Sequence, residues 1–353
     1  MRAPARSRSR FLFRRDGRGF AYNKGVNVLF LGHDEVRALL PVAECIPLMQ
    51  EALVSLAGGL AHQPLRSIVR PPAAAGIMGL MPAYSSGARA AFGLKAICVF
   101  PGNPARGMDS HQGVVLLFSA ETGEPLAVVN ASAVTAVRTA AVSGVATRAL
   151  AREDAGDLAV VGAGVQARAH VEAISHVRPL RRCRVASRRA ESARGLADEL
   201  SGKYAFAVEA VETVEEALRG ADLVVTATSA AEPVVRREWV APGAHINAVG
   251  ACTPNARELD AATVAASSLF VDSVESTVNE AGDYLRALQE GAVAPGHIRA
   301  ELGEVLTGTK PGRTSADEIT LFESLGLAVE DLAAAEYLYS RCKETGAGTW
   351  VSF

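Results

Sequence analysis

The sequence predicts an α/β protein built on a doubly wound parallel sheet, preceded by a smaller α+β region. Three observations carry that prediction. The chain has 353 residues, enough for about two domains at roughly 150 residues each. From Asp157 onward, short apolar runs alternate with helical stretches, the pattern of strand–helix–strand units on one sheet. Before Ala131, strand-like runs are instead separated by glycine, proline and polar turns, as in an antiparallel-looking sheet. A balance of 49% hydrophobic and 21% charged residues excludes a chain dominated by disorder. No apolar run approaches the ~20 residues of a membrane-spanning helix. Five scattered cysteines form no CxxC pair, which argues against a zinc knot or disulfide scaffold and fits a reduced cytoplasm.

Taken in order, residues 1–24 carry eight basic residues against one acid, a net +7 that leaves −9 on the other 329. This head is expected to be a basic, disordered extension outside the folded body. Val26–Leu31 reads as a strand. Asp34 caps a helical stretch to Leu60 that Pro41 and Pro47 are expected to break and Gly58-Gly59 to end. Strand-like runs follow at 67–69, 77–81, 93–100, 113–118 and 126–130. Residues 131–151 hold Ala, Val, Ser and Thr at helical spacing, the mark of a tightly packed buried helix. Six strands are then expected, at 158–161, 183–187, 205–209, 223–227, 245–249 and 269–272. The tail from about Glu318 to Tyr339 reads as one amphipathic helix or two.

The strand Leu158–Val161 runs into Gly162-Ala163-Gly164-Val165-Gln166-Ala167, a G-x-G-x-x-A turn opening a helix. Gly162 permits the tight turn, Gly164 lets backbone amides approach a pyrophosphate, and Ala167 keeps helix and strand close. The helix N-terminus adds its positive dipole end. This is a Rossmann-type dinucleotide site in its proper context. The second strand ends in Ala186-Ser187-Arg188-Arg189, with no acid to accept from a ribose 2′-hydroxyl. Guanidinium donors and a hydroxyl suit a 2′-phosphate, so NADP(H) is the expected cofactor, with NAD(H) as the alternative.

In the first region Arg66, the mid-strand Lys95, and Ser110-His111 stand out. Thr135, Arg138 and Thr139 share one face of the small-residue helix. An arginine there either reaches solvent or pairs with an anion, since burying it alone is costly. No nucleophilic triad, HExxH or P-loop is present, and the seven histidines have no ligand spacing, so no metal is expected. The implied chemistry is hydride transfer beside a cationic pocket for a small anion.

These segments, with Leu80–Ser85, Pro242–Gly250, Arg257–Asp260 and Ser324–Asp331, resemble the ornithine cyclodeaminase/mu-crystallin family over nearly all of residues 26–340. The resemblance implies a Rossmann domain at 151–315 and a discontinuous α+β domain at 25–150 and 316–353 that binds substrate and forms a homodimer. It implies that Arg66 and Lys95 anchor the substrate carboxylate, with Lys95 also a candidate proton donor, and that Arg138 contacts both substrate and cofactor. Thr139, Ser110 and His111 would lie at the nicotinamide end. Ala163, Val165 and Gln166 would hold the pyrophosphate, and Ser187, Arg188 and Arg189 the adenosine phosphate. Thr228, Ser229, Val249 and Ser324 would make further cofactor contacts, with Glu280 and Cys252 near the substrate.

Two departures direct the activity. Cys252 stands where cyclodeaminases have a catalytic Asp, and Gly79 where they have a Glu before the L-M-P segment. Without those carboxylates the cyclodeamination machinery is missing. The resemblance therefore points to the ketimine-reductase branch, acting on Δ1-pyrroline-2-carboxylate or Δ1-piperideine-2-carboxylate. An amino-acid dehydrogenase or a biosynthetic imine-handling relative is an alternative, as is an NADPH-dependent ligand-binding protein; a true cyclodeaminase is the least favoured. Neither nucleic acid nor membrane is expected as a partner.

Overall fold

The computed structural model describes residues 25–87 and 90–353. The basic head at 1–24 lies outside the described residues. The first domain runs β1 (Asn27–Leu31), α1 (His33–Leu39), α2 (Val42–Ala57), β2 (Ala61–His62), β3 (Ser67–Val69), β4 (Ile77–Ser85), β5 (Ala91–Val99), β6 (His111–Ser119), β7 (Pro125–Asn130) and α3 (Ala131–Leu150). The second runs β8 (Asp157–Val161), α4 (Val165–Ser175), β9 (Arg182–Ala186), α5 (Ala190–Leu200), β10 (Ala207–Ala210), α6 (Val214–Leu218), β11 (Leu223–Thr226), β12 (His245–Ala248), α7 (Ala261–Ala266), β13 (Ser268–Val271), α8 (Val274–Glu280), α9 (Gly282–Gln289), β14 (Ile298–Glu301), α10 (Leu302–Leu306) and β15 (Thr320–Glu323). The chain then returns through α11 (Ala328–Thr345) and β16 (Thr349–Ser352).

The first sheet has the order β16-β1-β7-β6-β5-β4-β2, with β3 on β4. It is mixed rather than antiparallel throughout, because β1 lies parallel to β7. Alternate residues of β4–β7 turn inward: Met81, Ala83, Ile97, Val115, Leu117, Ala127 and Val129 are buried against α2, α3 and α11. Lys95 shares that inward parity in β5 and is only 3% exposed. The opposite parity makes an apolar outer face. One row across it reads Pro82, Leu94, Leu116, Val128, Phe30, and the next Tyr84, Phe92, Phe118. Phe92 is 50% exposed.

The second sheet is parallel throughout, in the order β10-β9-β8-β11-β12-β15-β13-β14. It has eight strands rather than the six expected. The sequence reading took 318–339 as helical, but Thr320–Glu323 is a strand buried between β12 and β13, and the helix starts only at Ala328. Its Ile-Thr-Leu-Phe text suits a strand covered on both faces. The parallel sheet therefore takes in residues 320–323, past the 316 at which the first domain is expected to resume. Pro41 breaks the first helical stretch as expected. Pro47 does not: it sits inside α2, where only one intrahelical bond is lost.

The helix α3 joins the domains. Asn130 caps it, its side chain accepting from Ala133 N at 3.0 Å. It packs on α2 and α11 from the first domain and on α4 and β12 from the second. Small residues permit this close approach; a Cβ at Gly144 would meet Ile46 Cδ1 at 3.3 Å. Arg138 on this helix is thereby carried into the seam between domains.

Candidate active site

The strand ends of the parallel sheet build a dinucleotide cradle. Gly162 has φ +119°, and a Cβ there would lie 2.4 Å from Ala227 O, so only glycine fits the turn. Its N–H donates to Ala186 O at 2.8 Å, which sets this turn beside the Ser187–Arg189 loop. A Cβ at Gly164 would meet nothing within 4 Å, leaving open space at the N-terminus of α4. Gln166 leans on α3, its Nε2 donating to Thr135 O at 3.3 Å. Ser187 Oγ donates to Arg189 O at 2.7 Å. Arg188 and Arg189 are exposed, and among the described residues neither guanidinium has an ion-pair partner. Thr139 Oγ1 and Ser324 Oγ are buried and have no hydrogen-bond partner among the described residues, valences left open beside this cradle.

Glu258 organises the adjoining edge. It accepts from Thr226 Oγ1 at 2.8 Å, Thr228 N at 2.6 Å and Gly250 N at 2.7 Å, tying together the ends of β11 and β12. Thr228, Ser229 and Val249 stand on those two ends. Asp283 supports Glu258 in turn, accepting from the Glu258 and Leu259 N–H groups at 2.7 and 2.9 Å.

The expected cations converge around Asp331 and the Leu325-Gly326 turn that follows β15. Lys95 Nζ lies 3.1 and 3.2 Å from the two carboxylate oxygens of Asp331 on α11. Arg138 donates through Nε to Asp331 Oδ1 at 3.2 Å and through Nη1 to Glu330 Oε2 at 2.6 Å. Arg66 Nη2 donates to the carbonyls of Leu325 and Gly326 at 2.9 and 3.1 Å, and its Nε sits 3.0 Å from Glu280 Oε2. Asp272 Oδ2 accepts from the N–H groups of the same two residues at 2.7 and 2.6 Å. The Leu325-Gly326 turn is thus gripped by its carbonyls from one domain and its amides from the other. Gly326 has φ +79°, and a Cβ there would lie 2.6 Å from Arg138 Nη1. Gln63, Arg66, Met81 and Ser276 line a cleft beside this turn.

Burial sets the protonation states. It pushes Lys95 down to about 8, although Asp331 opposes the shift. Burial also works against the charge of Arg138, but Asp331 and Glu330 more than offset it and the guanidinium stays charged. Glu330 is pushed up to about 7 and Asp272 to about 6, again by burial. Desolvation, then Lys95, lowers His111, whose Nδ1 is 3.0 Å from Ser110 Oγ. Burial pushes the Cys252 thiol up to about 12, and its Sγ donates to Val249 O at 3.0 Å. That thiol is a neutral filler and offers neither the charge nor the basicity of a carboxylate.

The sequence marks the three cations and Glu280 beside Arg66, but not the two acids that hold Lys95 and Arg138. Glu330 and Asp331 lie almost 200 positions from Arg138 and more than 230 from Lys95. The available signal was the cost of burying Arg138 without an anion; that anion belongs to the chain itself.

The family model of the ornithine cyclodeaminase/mu-crystallin family matches residues 27–346. The chain is 40% identical over 315 residues to the ketimine reductase mu-crystallin of Rattus norvegicus, covering 88% of this chain and 96% of that one. Its fold matches the Thermococcus litoralis Δ1-pyrroline-2-carboxylate reductase, solved with NADH and L-proline, with a TM-score of 0.89 and 39% identity over 92% of this chain and 100% of that one. An archaeal alanine dehydrogenase dimer with bound NAD matches with a TM-score of 0.87 and 32% identity, over 93% of this chain and 100% of that one.

Proposed function

The chain belongs to the ornithine cyclodeaminase/mu-crystallin family, and from that premise we propose that it reduces cyclic imino acids with a nicotinamide cofactor. Δ1-Pyrroline-2-carboxylate and Δ1-piperideine-2-carboxylate, giving proline and pipecolate, are the substrates that fit. The observation that carries this reading is the gathering of Arg66, Lys95 and Arg138 around Asp331 and the Leu325-Gly326 turn, with a neutral thiol at Cys252. A planar C=N bearing a carboxylate needs cations to orient it and a proton for its nitrogen. It has no use for a carboxylate base.

When bound, the cofactor supplies hydride to the imine carbon. Arg66, helped by Lys95 and Arg138, fixes the substrate carboxylate; Glu280 holds Arg66 beside the cleft. As the C=N electron pair moves onto nitrogen, Lys95 Nζ, or a water it holds, gives that nitrogen its proton. Holding the imine in register accounts for much of the rate, since orientation alone can contribute several kcal/mol. The test is oxidation of NADPH with each imino acid, followed by absorbance. No turnover of either would overturn the reading. Ammonia-dependent reduction of a linear 2-oxo acid would instead indicate chemistry like that of the archaeal alanine dehydrogenase.

Within that reading the cofactor is NADP(H) in preference to NAD(H), supported by the exposed Arg188 and Arg189, without an ion-pair partner among the described residues, and by the absence of an acid at the end of β9. Removing both guanidinium groups (R188A/R189A) is expected to lower kcat/KM with NADPH about 100-fold, at ~1.5 kcal/mol per charge-assisted bond. The value with NADH should barely move. Equal losses with both cofactors would refute the assignment.

We further infer that a second copy of the chain covers the outer face of the first sheet. The Pro82–Phe30 and Tyr84–Phe118 rows carry no charge, which is unusual for a surface left to water. Leu116→Asp at its centre is expected to turn a dimer into a monomer in sedimentation velocity; an unchanged sedimentation coefficient would contradict the inference. Among the described residues no single helix is long and apolar enough to cross a membrane. The five free cysteines suit a reducing compartment, and we assign the protein to the cytoplasm.

A further inference from the structure

We propose that Asp331 is a positioning residue for imine reduction, one carboxylate that fixes both the Lys95 ammonium and the Arg138 guanidinium at the substrate's edge. The inference rests on the reading of Lys95 as the proton donor. Its basis is geometric. Lys95 comes from β5, Arg138 from α3 and Asp331 from the first turn of α11, and all three are at least 96% buried. Both oxygens of Asp331 face Lys95 Nζ, and Oδ1 also accepts from Arg138 Nε. Two like charges are thus held on one counter-ion. Glu330 takes the other side of Arg138, which leaves Asp331 as the carboxylate bound to Lys95.

The arrangement has a chemical consequence. The charged groups acting on Lys95 are Asp331 from α11, Arg138 from α3 and Arg66 from the β2–β3 connection; His111 faces it from β6. Both arginines and burial favour the neutral amine, and Asp331 alone among these favours the ammonium. A donor must hold its proton when substrate arrives, so Asp331 sets how much of the enzyme is loaded. Because the same carboxylate restrains Arg138, it also fixes the distance between the proton source and the carboxylate anchor.

The test is Asp331→Asn, which keeps shape and hydrogen bonding but removes the charge. The alkaline limb of the kcat profile, where activity falls as Lys95 loses its proton, is expected to move about 1–3 pH units lower. At pH 7 kcat should fall about two- to hundredfold, the loss of protonated Lys95 that a shift of that size produces. In protein labelled with ε-13C lysine, whose five lysines are Lys24, Lys95, Lys203, Lys310 and Lys343, the Lys95 resonance should titrate lower by the same amount. Asp331→Glu keeps the charge but moves it. It should return the limb to within about half a pH unit of wild type while leaving kcat depressed, since orientation is lost but the counter-charge is not. A limb and a Lys95 titration unmoved in folded Asp331→Asn would overturn the proposal. If that variant does not fold, wild-type kcat in Asp331→Glu would overturn it. Should wild-type protein turn over no imine while the Lys95 titration still shifts in Asp331→Asn, the substrate reading fails and the electrostatic role of Asp331 stands.

Discussion

Replacing Lys95 with Met is expected to lower kcat for imine reduction by about 10²–10⁴-fold, the range for losing a positioned proton donor. The substitution removes the ammonium but keeps an unbranched side chain of similar length, so the inward face of β5 stays filled. Arg138 remains on Asp331, so the carboxylate is not left alone in the core. Binding of NADPH, measured by fluorescence, should be nearly unchanged, which separates lost chemistry from lost folding. The wild-type profile carries a sign that follows from the same residue. With Lys95 near 8, the donor is protonated below that pH and neutral above it. The kcat should therefore hold on the acid side and fall as pH rises through about 8. A Lys95→Met enzyme that keeps full activity, or an alkaline limb that it retains, would remove Lys95 from the proton path.

Gly326→Ala is expected to lower kcat/KM by about 100-fold while costing about 2–3 kcal/mol of stability. The cost begins with the backbone, since φ +79° is left-handed and a methyl group there is strained. It continues with the neighbour: the new Cβ would sit 2.6 Å from Arg138 Nη1. A flexible surface arginine would swing aside, but Glu330 and Asp331 hold this one in place. Either the guanidinium moves off its acids or the turn moves off Arg66 and Asp272. Each path displaces Arg138 or Arg66, the cations proposed above to orient the substrate. The check is steady-state kinetics beside thermal unfolding. Wild-type kcat/KM in the folded variant would mean that the turn tolerates the shift and does not fix the site.

Much of this was legible in the chain. The Gly162–Ala167 turn announced itself because a tight turn, a close backbone approach and a close helix each leave a residue type at a fixed offset. The burial of the helix at 131–151 was legible in its small residues, while Arg138 on it was left either to reach solvent or to pair with an anion. What stayed hidden depends on contacts between distant segments. Nothing local marks Asp331 as the partner of Lys95, since an acid in the first turn of a helix also reads as a dipole-stabilising surface residue. Thr320–Glu323 was misread because amphipathic helical text follows it closely, and periodicity does not separate a four-residue buried strand from the start of a helix. Pro47 was overvalued as a breaker, because tertiary contacts around α2 outweigh one missing hydrogen bond.

The late arrival of β15 in the chain has a consequence for synthesis. Seven strands of the second sheet leave the ribosome before it, and they cannot close, because β12 and β13 do not pair with each other but each pair with β15. Until residue 323 emerges, the nascent chain carries two partial sheets with open inner edges, the kind of edge that invites pairing between chains. Asp331 follows within eight residues, so the sheet is completed and the cations receive their counter-ion in almost the same interval. A truncated product ending before β15 would be an aggregation hazard rather than a partly active enzyme.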